Sequence, residues 1–168
     1  MRQVMLILIP MVALALTSGC ASSICTPGVM PRGHVTFAKT SPGIDEIIAS
    51  VPAGVAAICT IRPVQFYKCG APMYMQFNGQ EIGPLANQTY LITYVKPGTY
   101  EITSQEPSLW HPGTKSVSGR IRLEAHPGRA YFVSGRFDEG SVDLHLLSAD
   151  AAREQMKNTV RILAVEIK

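Results

Sequence analysis

Met73-Tyr74-Met75-Gln76-Phe77-Asn78-Gly79-Gln80-Glu81-Ile82-Gly83-Pro84-Leu85 is the stretch that decides the fold. Met73, Met75 and Phe77 alternate with Tyr74, Gln76 and Asn78, a period of two that gives a strand one dry face and one wet face. Asn78-Gly79 follows, a pair that tolerates the positive φ a tight type I′ turn requires, so the strand folds back as a hairpin into Glu81 to Leu85. The same alternation recurs downstream. Tyr100 and Ile102 alternate with Glu101 and Thr103, and Ile121, Leu123 and Ala125 alternate with Arg120, Arg122 and Glu124. Pro97-Gly98 and Pro127-Gly128 are turns, joining Gln88 to Val95 onto Thr99 to Ser104, and Arg120 to Ala125 onto Ala130 to Phe137. Leu144 to Leu147 and Val160 to Ile167 add two strands. Between them, Asp150 to Asn158 reads as a short helix capped by Ser148 or Asp150. About eight short strands at this spacing predict an all-β, antiparallel domain of two packed sheets, because one sheet of that many would leave an apolar side in water.

The first twenty residues speak of location. Arg2 is a charged start, Val4 to Leu16 an apolar run, and Leu16-Thr17-Ser18-Gly19-Cys20 its end. The run is short of the roughly 20 residues a spanning helix needs, and Pro10 interrupts it. A cleaved signal over residues 1–19 is therefore expected in place of a retained transmembrane anchor. The closing pentapeptide resembles the bacterial lipobox, with Thr17 where Leu is commonest, and makes Cys20 the lipid-bearing first residue of the mature chain. One chain holds weakly and two or more anchor stably, at about 0.8 kcal/mol per buried methylene. Ala21, standing where Asp would retain a lipoprotein at the inner membrane, resembles the outer-membrane sorting signal and implies a periplasm-facing anchor there.

Residues 20–54 are rich in Ser, Pro and Gly, as in Thr26-Pro27-Gly28 and Ser41-Pro42-Gly43, and read as a lipidated tether. Within it His34 to Phe37 is a candidate edge strand and Asp45 to Ala49 a candidate helical turn. Residues 55–168 form the β domain, the size of one ordinary domain. Loss of Arg2 with the signal lowers the net charge from +3 to +2, too small and scattered for a nucleic-acid footprint. Three cysteines remain besides Cys20, which fits an oxidising compartment. Cys59 and Cys69 are the expected pair, closing a short loop worth roughly 3 kcal/mol by chain entropy. Two buried free thiols are the alternative. Cys25 is then left on the tether.

Three runs carry a family resemblance: Ala57-Ile58-Cys59-Thr60-Ile61-Arg62-Pro63, Phe77-Asn78-Gly79-Gln80-Glu81-Ile82-Gly83-Pro84-Leu85 and Val95-Lys96-Pro97-Gly98-Thr99-Tyr100. They resemble the signatures of an uncharacterised bacterial lipoprotein family, a "YIYRP"-like strand followed by "DG..IG.L" and "PG.(H/Y)". The likeness covers roughly Val55 to Ile167. It implies a transthyretin-like, more broadly immunoglobulin-like, sandwich on a lipid anchor, and says almost nothing of activity. Asn78 stands where the family often has Asp, and Cys59 and Cys69 lie outside its pattern.

Catalytic patterns are weak. Phe132-Val133-Ser134-Gly135 lacks the glycine that precedes a nucleophilic serine and reads as a strand. The four histidines are isolated, and His111 and His126 each precede Pro-Gly, so no metal site or cofactor is implied. Asp138-Glu139-Gly140 with Asp143 lacks calcium-loop spacing and reads as a wet hairpin turn. Arg62 reads as an arginine capping strand carbonyls or pairing with a carboxylate. The remaining candidate is the long connection Gln105 to Gly119, where Trp110-His111, with Lys115 nearby, offers an aromatic platform for a protein or a sugar ring. Trp110 folded back as a plug is the competing reading. The expected function is a lipid-anchored, non-catalytic binding or scaffolding protein of the cell envelope. A glycan- or peptidoglycan-binding lipoprotein is the alternative, and an envelope hydrolase the weakest reading. Partners are the membrane through the lipid and an envelope protein or cell-wall glycan. Cys20→Ala should abolish metabolic labelling with palmitate; a labelled variant would contradict the anchor.

Overall fold

The computed structural model describes residues 35–107 and 115–165. Along the chain run β1 (Val35–Phe37), α1 (Ile44–Ala49), β2 (Ala56–Arg62), β3 (Met73–Phe77), β4 (Gln80–Leu85) and β5 (Thr89–Val95). There follow β6 (Gly98–Pro107), β7 (Lys115–Ala125), β8 (Ala130–Asp138), β9 (Ser141–Leu147), α2 (Ala149–Met156) and β10 (Val160–Val165). The strands form two sheets, one of order β1-β10-β5-β2-β8-β9 and one of order β4-β3-β6-β7. The protein is an all-β two-sheet sandwich with a short helix near its C-terminus, as its alternating strands predict.

β3 and β4 pair across Asn78 and Gly79, whose φ angles of 51° and 80° are the left-handed values the turn demands. Met73, Met75 and Phe77 are buried while Tyr74 and Gln76 are half-buried. The two Pro-Gly turns behave differently from a hairpin. β5 and β8 lie in the six-stranded sheet and β6 and β7 in the other, so both corners carry the chain from one sheet to its partner. The expectation of a purely antiparallel domain also needs correction, because β10 runs parallel to β5 and β2 parallel to β8. Parallel neighbours need long crossovers, and here each crossover includes strands of the four-stranded sheet.

β2 shows no alternation of exposure because it has no wet face: all seven residues are buried. Ile58 faces the core between the sheets, with Met73, Met75, Phe77, Leu91, Ile102, Leu123 and Val133. Cys59 and Ile61 face the other way, into a second cluster with Ile44, Ile47, Tyr90, Phe132 and Ala152. That cluster is closed by α1 and α2, which cover the outer face of the six-stranded sheet. Residues 35–54 are accordingly part of the folded unit. β1 pairs with β10, and Ile44 and Ile47 of α1 are buried, so the tether expected up to Gly54 gives way to domain at Val35. α2 starts at Ala149, where the Ser148 hydroxyl accepts from Ala151 N at 3.2 Å, the cap expected of Ser148.

One side of the sandwich closes where β7 meets β9. Gly119 sits at this seam, and a Cβ added there would lie 2.6 Å from the Val142 carbonyl oxygen and 2.8 Å from Ser104 Oγ. The first neighbour is backbone and cannot rotate aside. Gly119→Ala should therefore cost about 1–3 kcal/mol in urea-unfolding midpoints; an unchanged midpoint would mean that the seam is loose.

Candidate functional site

β2 ends at the open mouth of the sandwich, and its inward-facing sequence Ile58, Thr60, Arg62 finishes on a cation. Arg62 is fully buried, at 0% exposure. A guanidinium stripped of water must recover its hydrogen bonds from the protein. Its Nη1 donates to Ala71 O and to Leu85 O at 2.9 Å, and Nη2 donates to Lys68 O at 2.9 Å. The guanidinium carbon lies 4.8 Å from the centre of the Phe137 ring, whose negative face offsets part of the lost hydration. Burial pulls the Arg62 pKa down to about 10, which still leaves it a cation at neutral pH. Of the two readings of Arg62, carbonyl capping is the one observed. The carbonyls belong to the loop that follows it and to β4, so one side chain ties β2, the loop and the opposite sheet together.

A second clamp holds the loop at Gln65. Its backbone N–H donates to Asn87 Oδ1 and its carbonyl accepts from Asn87 Nδ2, both at 3.0 Å. Its side chain repeats the pattern on Phe137, donating to the carbonyl and accepting from the N–H, both at 2.9 Å. Lys68 adds an ion pair with Glu106 of β6 at 2.5 Å and lies over the rings of Tyr67 and Phe137. The polar parts of residues 62–71 thus turn inward. Between these clamps the apolar side chains point out: Phe66 is 88% exposed, Val64 and Tyr67 50% each.

Lys115 starts β7 at the same end of the four-stranded sheet, where Pro107 pairs with it and Tyr74 with Gln105. Its ammonium pairs with Glu81 at 2.6 Å and sits 3.5 Å from the centre of the Tyr74 ring. Trp110 and His111 lie outside the described residues, as do Cys20 and Cys25. The connection expected over Gln105 to Gly119 is shorter than its sequence suggests, since β6 runs to Pro107 and β7 starts at Lys115.

The expected Cys59–Cys69 bridge is corrected. Cys59 is a free thiol, 0% exposed, on the outer face of β2 beneath the helices. The loop bearing Cys69 leaves from the end of the strand and is held toward the inter-sheet mouth by Arg62, on the opposite face. Cys69 is itself disulfide-bonded, to a cysteine other than Cys59. Ser134 is buried in β8 and its hydroxyl donates to Gln155 Oε1 at 2.7 Å, a sheet-to-helix contact. Asp138 to Ser141 make the β8–β9 hairpin turn, with Gly140 at φ 77°. Among the described residues no group of three or more His, Cys, Asp or Glu side chains is placed to hold a metal ion.

The Val64–Tyr67 tip is what sequence reasoning missed. Its signal was present: Val64, Phe66 and Tyr67 are large apolar residues between Pro63 and Pro72 and belong to no alternating strand. In comparisons with known proteins, no family model, curated protein or solved structure matches the chain.

Two outcomes follow from this geometry. Arg62→Met removes the guanidinium's hydrogen bonds to the carbonyls of Lys68, Ala71 and Leu85 and should destabilise the protein by about 3 kcal/mol in chemical denaturation. Phe66→Ser, removing a side chain that packs on little, should stay within about 0.5 kcal/mol of the parent; equal losses would deny the clamp. Burial also pushes the Cys59 thiol well up and the Tyr90 hydroxyl, which donates to Pro42 O at 3.0 Å, up to about 12. Both groups lose their protons at lower pH when unfolded, so above pH 9 the unfolded chain binds fewer protons and stability falls as pH rises. Their contribution is complete below pH 9 and drains away toward pH 12. Denaturation midpoints that stay level between pH 8 and 11 would contradict it.

Proposed function

We propose that this protein is a lipid-anchored, non-catalytic binding or scaffolding protein of the bacterial cell envelope, and that it meets its partner through the Val64–Tyr67 tip. The observation that carries the reading is a fully buried arginine spending its hydrogen bonds on a loop whose apolar residues stay in water. Exposed aromatic side chains fixed on a rigid support lose little entropy on binding, which is how aromatic anchors dominate protein interfaces. The Leu16-to-Cys20 pentapeptide supports the anchor, and the resemblance to lipoprotein signatures points the same way. Lys115 and Tyr74 lie at the same end and, with Glu81 paired to Lys115, supply a polar flank.

Photo-crosslinking residues placed at 66 and 115, with one at the exposed Glu124 as control, test the reading in the lipidated protein in cells. One dominant protein adduct from 66, absent from 124, is expected. Adducts to wall fragments in its place would make this a glycan-binding lipoprotein, and no adduct from either site would remove the tip as a contact surface.

A further inference from the structure

We propose that a polar notch beside the Val64–Tyr67 tip binds a carboxylate carried by the partner's polypeptide, through Arg136 and the side-chain amide of Gln88. The notch has a volume of about 310 Å³ and lies between Pro63 and Val64 of the loop, Gln88, Arg136 of β8 and the end of α2. That volume stands at the small end of the roughly 300–1,000 Å³ of ligand sites, the scale of one or two peptide residues. Val64 lines the notch and is also half exposed on the tip. A partner that covers the tip therefore reaches the notch, and the proposal rests on the tip reading for where the carboxylate comes from.

Gln88 is the residue whose placement the fold does not explain. Its backbone lies in the left-handed region, at φ 58°, which strains a residue with a side chain and suits glycine. Its Oε1 is buried, and among the described residues nothing donates to it. A walled-in acceptor without a donor is costly. Neither cost serves the fold, since the backbone carbonyl of Gln88 accepts from Val160 N at 2.9 Å and would do so from glycine. What the side chain gains is that, with its oxygen turned into the wall, its Nε2 is left to the notch. The position is rigid, because its neighbour Asn87 is the clamp on Gln65.

The charge of the notch is uncommitted and positive. Arg136 is exposed and makes no ion pair among the described residues. Asp143, its register partner on β9, is paired with His145 at 3.3 Å. Glu154, the one acid lining the notch, is held by Lys157 at 2.7 Å. Gln155 spends its Oε1 on the Ser134 hydroxyl and keeps its Nε2 as a further donor. A guanidinium flanked by amide donors matches a carboxylate. No aromatic ring lines the notch, so a sugar finds no face to stack on, and a peptide is the better fit.

The test is a titration of the full-length lipidated protein in detergent micelles, followed through the ¹⁵N signals of Arg136 Nε and the Gln88 side-chain amide. The probes are acetyl-glutamate amide, its neutral glutamine counterpart, acetyl-alanine with a free carboxylate, inorganic phosphate and N-acetylglucosamine. Saturable shifts of both signals are expected from an acidic probe, with binding at least about tenfold tighter than to the neutral one. The tighter of the two acidic probes tells an acidic side chain from a chain end as the source. The preference should vanish in Arg136→Gln and weaken in Gln88→Gly, and both variants should fold, since Arg136 is exposed and φ 58° suits glycine. No saturable shift, equal binding of the neutral probe, or shifts from phosphate or the sugar in place of the acidic probes overturns the proposal. A lower urea midpoint in Gln88→Gly overturns the part given to Gln88, because it would show the side chain serving the fold. Crosslinking from position 66 keeps the two readings apart. An adduct undiminished in both variants, with no shift from the acidic probes, removes the notch and leaves the tip. Shifts from those probes without any adduct from 66 keep the notch as a carboxylate site and remove the tip.

Discussion

A cation with no water around it constrains everything at one end of this molecule. Arg62 arrives at the mouth of the sandwich because β2 alternates inward at Ile58, Thr60 and Arg62, and the strand is buried on both faces. Leaving a guanidinium there without partners would be costly, and among the described residues no carboxylate pairs with it. Its hydrogen bonds go to carbonyls, and the carbonyls of Lys68 and Ala71 can be supplied only if residues 63–72 curl over the mouth. The path of the loop follows from where its carbonyls must be. Side chains alternate against that path, and Phe66 is left in solvent.

The double burial of β2 has a second consequence. Its inner face belongs to the sandwich core and its outer face needs its own cover, which the two short helices provide through Ile44, Ile47 and Ala152. Cys59 is a component of that outer cluster, where a small apolar thiol packs as a hydrophobe. The sandwich is thus three layers deep along its centre. Its Arg62 end stays firm because Asn87, Gln65 and Phe137 join the loop to the β4–β5 connection and to β8 through paired amide hydrogen bonds.

Legibility followed the local physics. The β3–β4 hairpin was readable because turn chemistry and alternation coincide within thirteen residues, and α2 because Ser148 caps it. β2 was recognisable only by resemblance, since a strand buried on both faces shows no period of two. That the Pro-Gly corners change sheet was invisible, because a turn's residues specify its bend and not which strand the chain pairs with next. The Cys59–Cys69 pairing failed for a related reason. Ten positions of separation suggest proximity, but Cys59 and Arg62 project from opposite faces of one strand. The exposed tip went unnoticed because a loop between two cysteines invited a covalent explanation of its shape when the operative one is electrostatic.

The most direct measurement is backbone ¹⁵N relaxation of the amides from Val64 to Ala71. A loop clamped by Arg62, Gln65 and Asn87 should give order parameters near about 0.85, equal to those of β2, although Phe66 lies almost wholly in solvent. Values below about 0.6 at Phe66 and Tyr67 would show a mobile loop and contradict the view that the buried arginine presents a fixed contact surface.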